Sequence, residues 1–375
     1  MLKKFLKSIT SIGLLICLVS PSINATDIYV PFPQKEEVDQ TEEIYFRDLN
    51  LKEAILEYYK FHIDKEYRDD KITKGMMSKF TTLYLPWANI FSLEGLENAV
   101  NLKNLNLANN FIEDITPISK ITTLEDLNIN NNKIKDANSL SKLTNLKKLS
   151  IRKNIITNLE FLNNIPVEEL DISYNGILKN SIAEEVDLSK IRTLKITGLG
   201  IENINFLKTA TKLESLFAEE NKIKDLSPIA NLTNLRMLFL DKNNIDDLSA
   251  LKNLEKLAEL SLAKNNVTDI TSLEHKNELY RLILDGNKSL SNISILSTAT
   301  NLSSLSISDT IVSDISSLNN LKYIFYVSLI NTNVSKDSQD NFREYNEDYK
   351  KTQNIDKKVE IVGNTVGKYF TIKNY

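Results

Sequence analysis

A single cysteine, Cys17, leaves the chain without a disulfide pair, a thiolate zinc site or a cysteine nucleophile beyond that position. Two histidines, His62 and His275, stand far apart in the sequence and make no histidine-dependent catalytic pair. Beyond residue 26 no run of 18 apolar residues occurs, which excludes a membrane-spanning helix there. Neither sign of charge dominates: 46 Lys and Arg against 50 Asp and Glu give a net charge of -4, which argues against a nucleic-acid binder or a polybasic membrane-surface protein. Phosphate-loop, dinucleotide and zinc spacings are also missing. Nine glycines and seven prolines are few, and 42% hydrophobic with 26% charged residues exclude a disordered or fibrous polypeptide. A sizeable core and a surface function are what remain.

The first 25 residues have the pattern of a secretory signal. Lys3, Lys4 and Lys7 precede an apolar stretch from Ile9 to Val19 that is too short to span a bilayer, and Ala25 is a small residue at the expected cleavage point. A lipoprotein signal built on Cys17 is the competing reading, but Ile16 stands before it where a small residue is expected. Cleavage removes three lysines and no acid, taking the net charge from -4 to -7 and leaving no cysteine. The C-terminal residues resemble neither an anchor nor a sorting tail, so release into the medium is the expectation.

Internal repetition organises the rest. The pattern L-x-x-L-x-L-x-x-N-x-I-x-D-x-x-x-L-x-x-L-x-x opens twelve times between Phe80 and Ile324, at spacings of 21 to 24 residues and mostly 22. In the repeat opening at Leu235, Leu238 and Leu240 alternate as on a strand, Asn243 turns the chain, and Ile245, Leu248, Leu251 and Leu254 return inward. Each unit leaves an apolar face uncovered, so neighbours must stack, with parallel strands about 4.8 Å apart. The predicted fold is an α/β repeat solenoid, a leucine-rich repeat horseshoe with a parallel concave sheet. Asn110, Asn132, Asn154, Asn175, Asn221, Asn243, Asn265 and Asn287 form a ladder whose amides serve backbone groups at the turn. Ala88, Leu199 and Thr310 interrupt it, and Lys276 replaces a convex-side Leu, so local looseness is expected there.

The 22-residue repeat, with Asp114, Asp136, Asp225, Asp247, Asp269 and Asp314 after its Ile or Val, resembles the internalin family of listerial virulence proteins. The preceding segment carries the likeness further. Asn50 and Glu53 make a capping-box-like start, Leu51, Ile55, Tyr58, Tyr59 and His62 mark an amphipathic helix, and Ile72 to Phe80 resembles the second helical element of the family's cap. The expected organisation is 1–25 signal peptide, 26–79 N-terminal region with a helical cap, 80–334 twelve repeats and 335–375 a short C-terminal cap. Only 41 residues follow Val334, too few for the immunoglobulin-like module of large internalins. Phe342, Tyr345 and Tyr349 at helical spacing, then alternation from Val359 to Ile372 around Gly363-Asn364, predict a helix and a hairpin over the last repeat. This outline is similar to the small, unanchored, secreted members. The resemblance implies a host-pathogen role and a host protein partner, a cell-junction or cell-surface protein such as afadin, with no nucleic acid, no membrane span and a monomeric chain.

The concave face is where the residues themselves point to binding. Outward residues occupy the third, fifth and seventh positions of each repeat. The fifth-position row is mostly polar but places Phe217 beside Phe239, with Ile283 further along and Met237 next to them. Glu219, Asp241 and Asp285 lie nearby, while Lys148, Arg152 and Lys195 form a basic approach from the N-terminal side. An apolar centre with charged flanks has the composition of an interface hot spot, against the plain alternative of scattered exposed apolar side chains. Tyr84 and Trp87 offer a second location. The longest departure from the period, from Asn175 to Asp187, brings Asn175, Glu184, Glu185 and Asp187 together in sequence; these oxygen ligands suit calcium, or the stretch is a solvated insertion. No other cofactor is expected and no enzyme. Ligases built on such repeats need a cysteine-bearing domain. An intracellular scaffold of the same period conflicts with the signal, and a eukaryotic extracellular repeat protein would close its ends with disulfides. A nonspecific adhesin or envelope-assembly scaffold is the alternative function.

Overall fold

The computed structural model describes residues 39–175, 186–319, 321–352 and 359–363. Residues 1–25, the predicted signal, lie outside them, as do Glu184 and Glu185. Among the described residues thirteen short parallel strands, from Thr82–Tyr84 to Glu360–Val362, pair in sequence order into one sheet. The register is fixed by the repeat: Leu216, Leu238 and Leu260 face one another in one row and Phe217, Phe239 and Ser261 in the next. The Leu row is buried throughout. A slip of one residue would turn that row outward, so the burial of the Leu side chains itself locks the register. The chain is therefore a leucine-rich repeat horseshoe.

Each Asn of the ladder is a three-way tie. The Asn243 amide donates to the carbonyls of Ala218 and Leu240, both at 2.9 Å, and its oxygen accepts from the Ile223 N–H at 2.9 Å. Two repeats are thus joined at a turn that water does not reach. At the interruptions, neighbours supply the bonds. The Asn221 oxygen accepts from both Leu199 and Ile201, and the Thr310 hydroxyl donates to Ile307 O at 2.7 Å. The recurring aspartates have a local task too: Asp114, Asp225 and Asp247 accept from the N–H two residues on at 2.8 Å, starting the short 3-10 turns Thr116–Lys120, Ser227–Ile229 and Ser249–Leu251 on the convex side.

Lys276 is only 2% exposed, and its ammonium donates to Lys252 O at 2.6 Å. Where looseness was expected, the structure seats the aliphatic stem in the Leu slot and gives the charge one carbonyl. Burial pulls its pKa down, opposed by Glu255.

The N-terminal cap comprises helices α1 (Leu49–His62) and α2 (Lys74–Met77). Leu51, Ile55 and Tyr59 cover the first repeat. The helix start differs from the expected box at Asn50: the N-cap is Asp48, fully buried, whose carboxylate accepts from Asn50 and Leu51 and also from Phe91 at 2.6 Å and Ser92 at 3.1 Å. One carboxylate thereby fastens the cap to the first repeat. His62 is exposed on α1 and lies against Tyr58, with ring centroids 4.2 Å apart and the planes tilted by 32°.

At the other end, helix α3 (Lys336–Thr352) buries Phe342. The described arm of the expected hairpin is the strand Glu360–Val362, which pairs parallel with Tyr326–Ser328 and extends the sheet. Its second arm lies outside the described residues. Among the described residues no helix is long and apolar enough to cross a membrane.

Candidate partner-binding face

The concave rows follow from the same alternation. With Leu216 and Leu238 turned inward, Phe217 and Phe239 stand on the opposite face, half-buried, and stack with centroids 5.0 Å apart at 9°. The Lys195 ammonium lies 5.4 Å from the Phe217 ring centroid on the N-terminal side, within cation–π range. On the other side Ser261 separates Phe239 from Ile283 in the register, yet Ser261 is only 1% exposed. Its hydroxyl is turned to the Asp241 carboxylate, and Met237 and Ile283 are half-buried on the same face.

The acids at its edge are partly engaged. Glu219 accepts from the Thr197 hydroxyl at 2.6 Å. Asp241 accepts from the Ser261 hydroxyl and from Ala263 N at 2.8 Å, and Asp285 from the Ser306 hydroxyl at 2.6 Å and Ser308 N at 2.7 Å. Each ties its repeat to a neighbouring one. Burial pushes the Asp285 carboxyl up; the bonds from Ser306 and Ser308 oppose this, while Asp309 and Asp241 add to it.

Of the three bases read as one basic approach, Lys195 alone touches the Phe pair. Lys148 is held by Glu169 at 2.7 Å, which raises its pKa, and Arg152 lies 4.7 Å over the Tyr174 ring. Tyr174 belongs to a network that row reading missed. Its ring lies against Gly198, where a Cβ would come within 2.5 Å of the ring, and its hydroxyl donates to Glu220 at 3.2 Å, which Lys242 pairs at 2.6 Å. A glycine one repeat after a tyrosine at the same position was the available signal.

Tyr84 and Trp87, at the N-terminal end, are 59% and 73% exposed. Phe91 and Phe111 stand out nearby, lining a depression of about 560 Å³ with Arg47, Lys120 and Lys133. Of the candidate calcium ligands, Glu184 and Glu185 lie outside the described residues; Asn175 spends its amide on Ile151, Ile172 and Ile156, and Asp187 accepts from Ser189 N at 2.9 Å. Among the described residues no group of three or more His, Cys, Asp or Glu is placed to hold a metal.

A family model described as Leucine Rich repeats (2 copies) matches residues 100–142 and 211–253. An internalin of Listeria monocytogenes, InlF, is similar at a TM-score of 0.75 and 26% identity, over 86% of this chain and 96% of its own. The functional domain of InlJ from Listeria monocytogenes gives 0.58 at 19% identity, over 79% and 72%. A leucine-rich repeat protein of Leptospira interrogans gives 0.56 at 19%, over 73% and 81%. The last two share the fold. No curated protein matches the chain in sequence. Repeats, caps and the InlF likeness make this an internalin-like leucine-rich repeat protein, a fold suited to protein binding.

Proposed function

We propose that the chain is a secreted bacterial virulence protein that recognises a host protein through its concave face, centred on Phe217 and Phe239. The stacked pair, presented outward from a rigid parallel sheet and flanked by Lys195, Met237 and the acids, is the observation that carries this reading. Two rings held in place by their strands lose little entropy on binding, and the surrounding charges steer the encounter. The finer form of the proposal is a member of the internalin family, internalin P being the one to compare first. A cell-junction or cell-surface protein such as afadin is then the first partner to offer.

The test is retention of host lysate and membrane proteins on the purified chain from Thr26 onward, beside the Phe217→Ala/Phe239→Ala variant. A partner held by the first and lost by the second supports the reading; equal retention by both contradicts it. Intact-mass analysis of culture supernatant tests the secretion step. A chain beginning at Thr26 is expected, and a cell-bound chain retaining residues 1–25 argues against it.

A further inference from the structure

The N-terminal end of the same face has a different chemistry. In the three outward rows of the first three repeats, residues 82 to 130, the only formal charge is Asp126, half-buried, its carboxyl pushed up by burial. The remainder is dominated by asparagine, with two exposed aromatic residues at the edge.

Trp87 is the only tryptophan of the chain and has φ 61°. Every repeat places its eighth residue in this left-handed region, where a side chain is strained and a bulky one most so. Elsewhere the position holds Gly, Asn, Asp, Glu or Lys, with one further aromatic, Tyr174, whose ring and hydroxyl are both engaged as described above. Trp87 stacks on no ring and donates no side-chain hydrogen bond among the described residues, and it stays 73% exposed. A large apolar side chain kept outward on a strained backbone, with no work inside the fold, points to a ligand. Tyr84, three residues earlier, is likewise unstacked and exposed.

The amides beside them are oriented. Backbone N–H groups donate to the side-chain oxygens of Asn106 and Asn128, from Ala108 at 2.9 Å and Asn130 at 3.1 Å, which leaves each NH2 group free to donate. Asn104 is turned the other way: its NH2 donates to the Thr82 hydroxyl at 3.2 Å, which leaves its oxygen free to accept. Tyr84, Asn106 and Asn128 lie in one register row, stepping by about 4.8 Å. That step is close to the advance of one pyranose unit in an extended oligosaccharide.

We infer that the first three repeats form a second site, for a neutral oligosaccharide, with Trp87 and Tyr84 as stacking platforms, Asn106 and Asn128 as a rail of two amide donors and Asn104 as an acceptor beside it. Aromatic faces pack on the C–H faces of sugar rings, fixed amides match ring hydroxyls, and a surface almost free of charge neither attracts nor repels an uncharged ligand. A protein hot spot is a packed apolar centre, as the stacked Phe217 and Phe239 make; on these rows the aromatic rings stand singly, unstacked, beside free amides.

With one tryptophan, emission from the intact chain reports this site alone. The experiment applies the chain to an array of neutral, sialylated and sulfated glycans and follows Trp87 emission with the neutral oligosaccharides retained. Saturable emission changes are expected, with at least about tenfold weaker retention for Trp87→Ala at unchanged melting temperature and a similar loss for Asn106→Ala/Asn128→Ala, measured well below the melting temperature of that variant. Phe217→Ala/Phe239→Ala should retain the same glycans as the parent, so this site and the protein-binding reading fail separately. The inference is overturned if no neutral glycan is retained, if only charged glycans are, or if Trp87→Ala retains them equally. An emission shift with phosphatidylcholine vesicles and none with glycans also overturns it, assigning Trp87 to a membrane contact.

Discussion

Leu216 and Phe217 are neighbours on one strand, yet belong to opposite faces of the sheet. Leu216 and its register partner Leu238 are buried completely, whereas Phe217 and Phe239 keep part of their rings in solvent and stack on each other. Residue type does not decide this; the period of two along a strand does. The inward row holds the stack of repeats together, and the outward row is freed from that task to meet a partner. Substitutions one residue apart should therefore separate stability from binding.

The largest effect is expected inside. Leu238→Ala removes a fully buried side chain between two repeats and should cost about 2–5 kcal/mol, read as a fall in the urea midpoint. A cost below about 1 kcal/mol would mean that the inner row is not close-packed. Next comes the turn. Asn243→Ala leaves the Ile223 N–H without its partner in the interior and takes one of two amide donors from each of the Ala218 and Leu240 carbonyls, which keep Asn221 and Asn265, a loss of about 2–3 kcal/mol, while Thr310→Val removes one hydroxyl bond and should cost about 1 kcal/mol. Equal costs for the two would show that the ladder amides do not act as three-way ties.

Much of this contrast was readable beforehand because the repeat has a strict period: the inward leucines, the outward row and the Asn ladder all follow from counting. What escaped counting depended on contacts between repeats. Lys148 and Glu169 are opposite charges in adjacent positions of one row, and their pairing removes a base from the supposed approach. Arg152 is drawn to Tyr174 because Gly198 makes room for the ring. Asp48 outranks Asn50 as helix cap because Phe91 and Ser92, far along the chain, bring two more N–H groups to its carboxylate. The left-handed eighth position went unread because only Gly198 and Gly286 among the twelve residues there are glycine. Residues 359–363 alternate as a hairpin arm would, and only the unpaired edge of Tyr326–Ser328 decides that they join in parallel.

A smaller effect sharpens the comparison on the convex side, where a charge occupies an inward slot. Burial lowers the folded-state pKa of Lys276 below its unfolded value. Between the two pKa values the unfolded chain binds more protons, so stability rises with pH through that window, and below it the buried charge is a constant burden. Lys276→Met should raise stability at neutral pH by about 1 kcal/mol and abolish this contribution to the alkaline rise. Urea titrations from neutral to alkaline pH check it; parallel curves for parent and variant would refute the assignment.

The outward row is expected to give the smallest stability change, and it is there that the account is most directly tested. Phe217→Ala/Phe239→Ala should be measured twice, by thermal melting and by calorimetry against the retained partner at low and high salt. The account predicts a melting temperature close to the parent's, binding weaker by about 2 kcal/mol or more, and a deficit that survives salt because it is apolar. A large fall in melting temperature would place the two rings in the core, and unchanged binding would place the interface elsewhere.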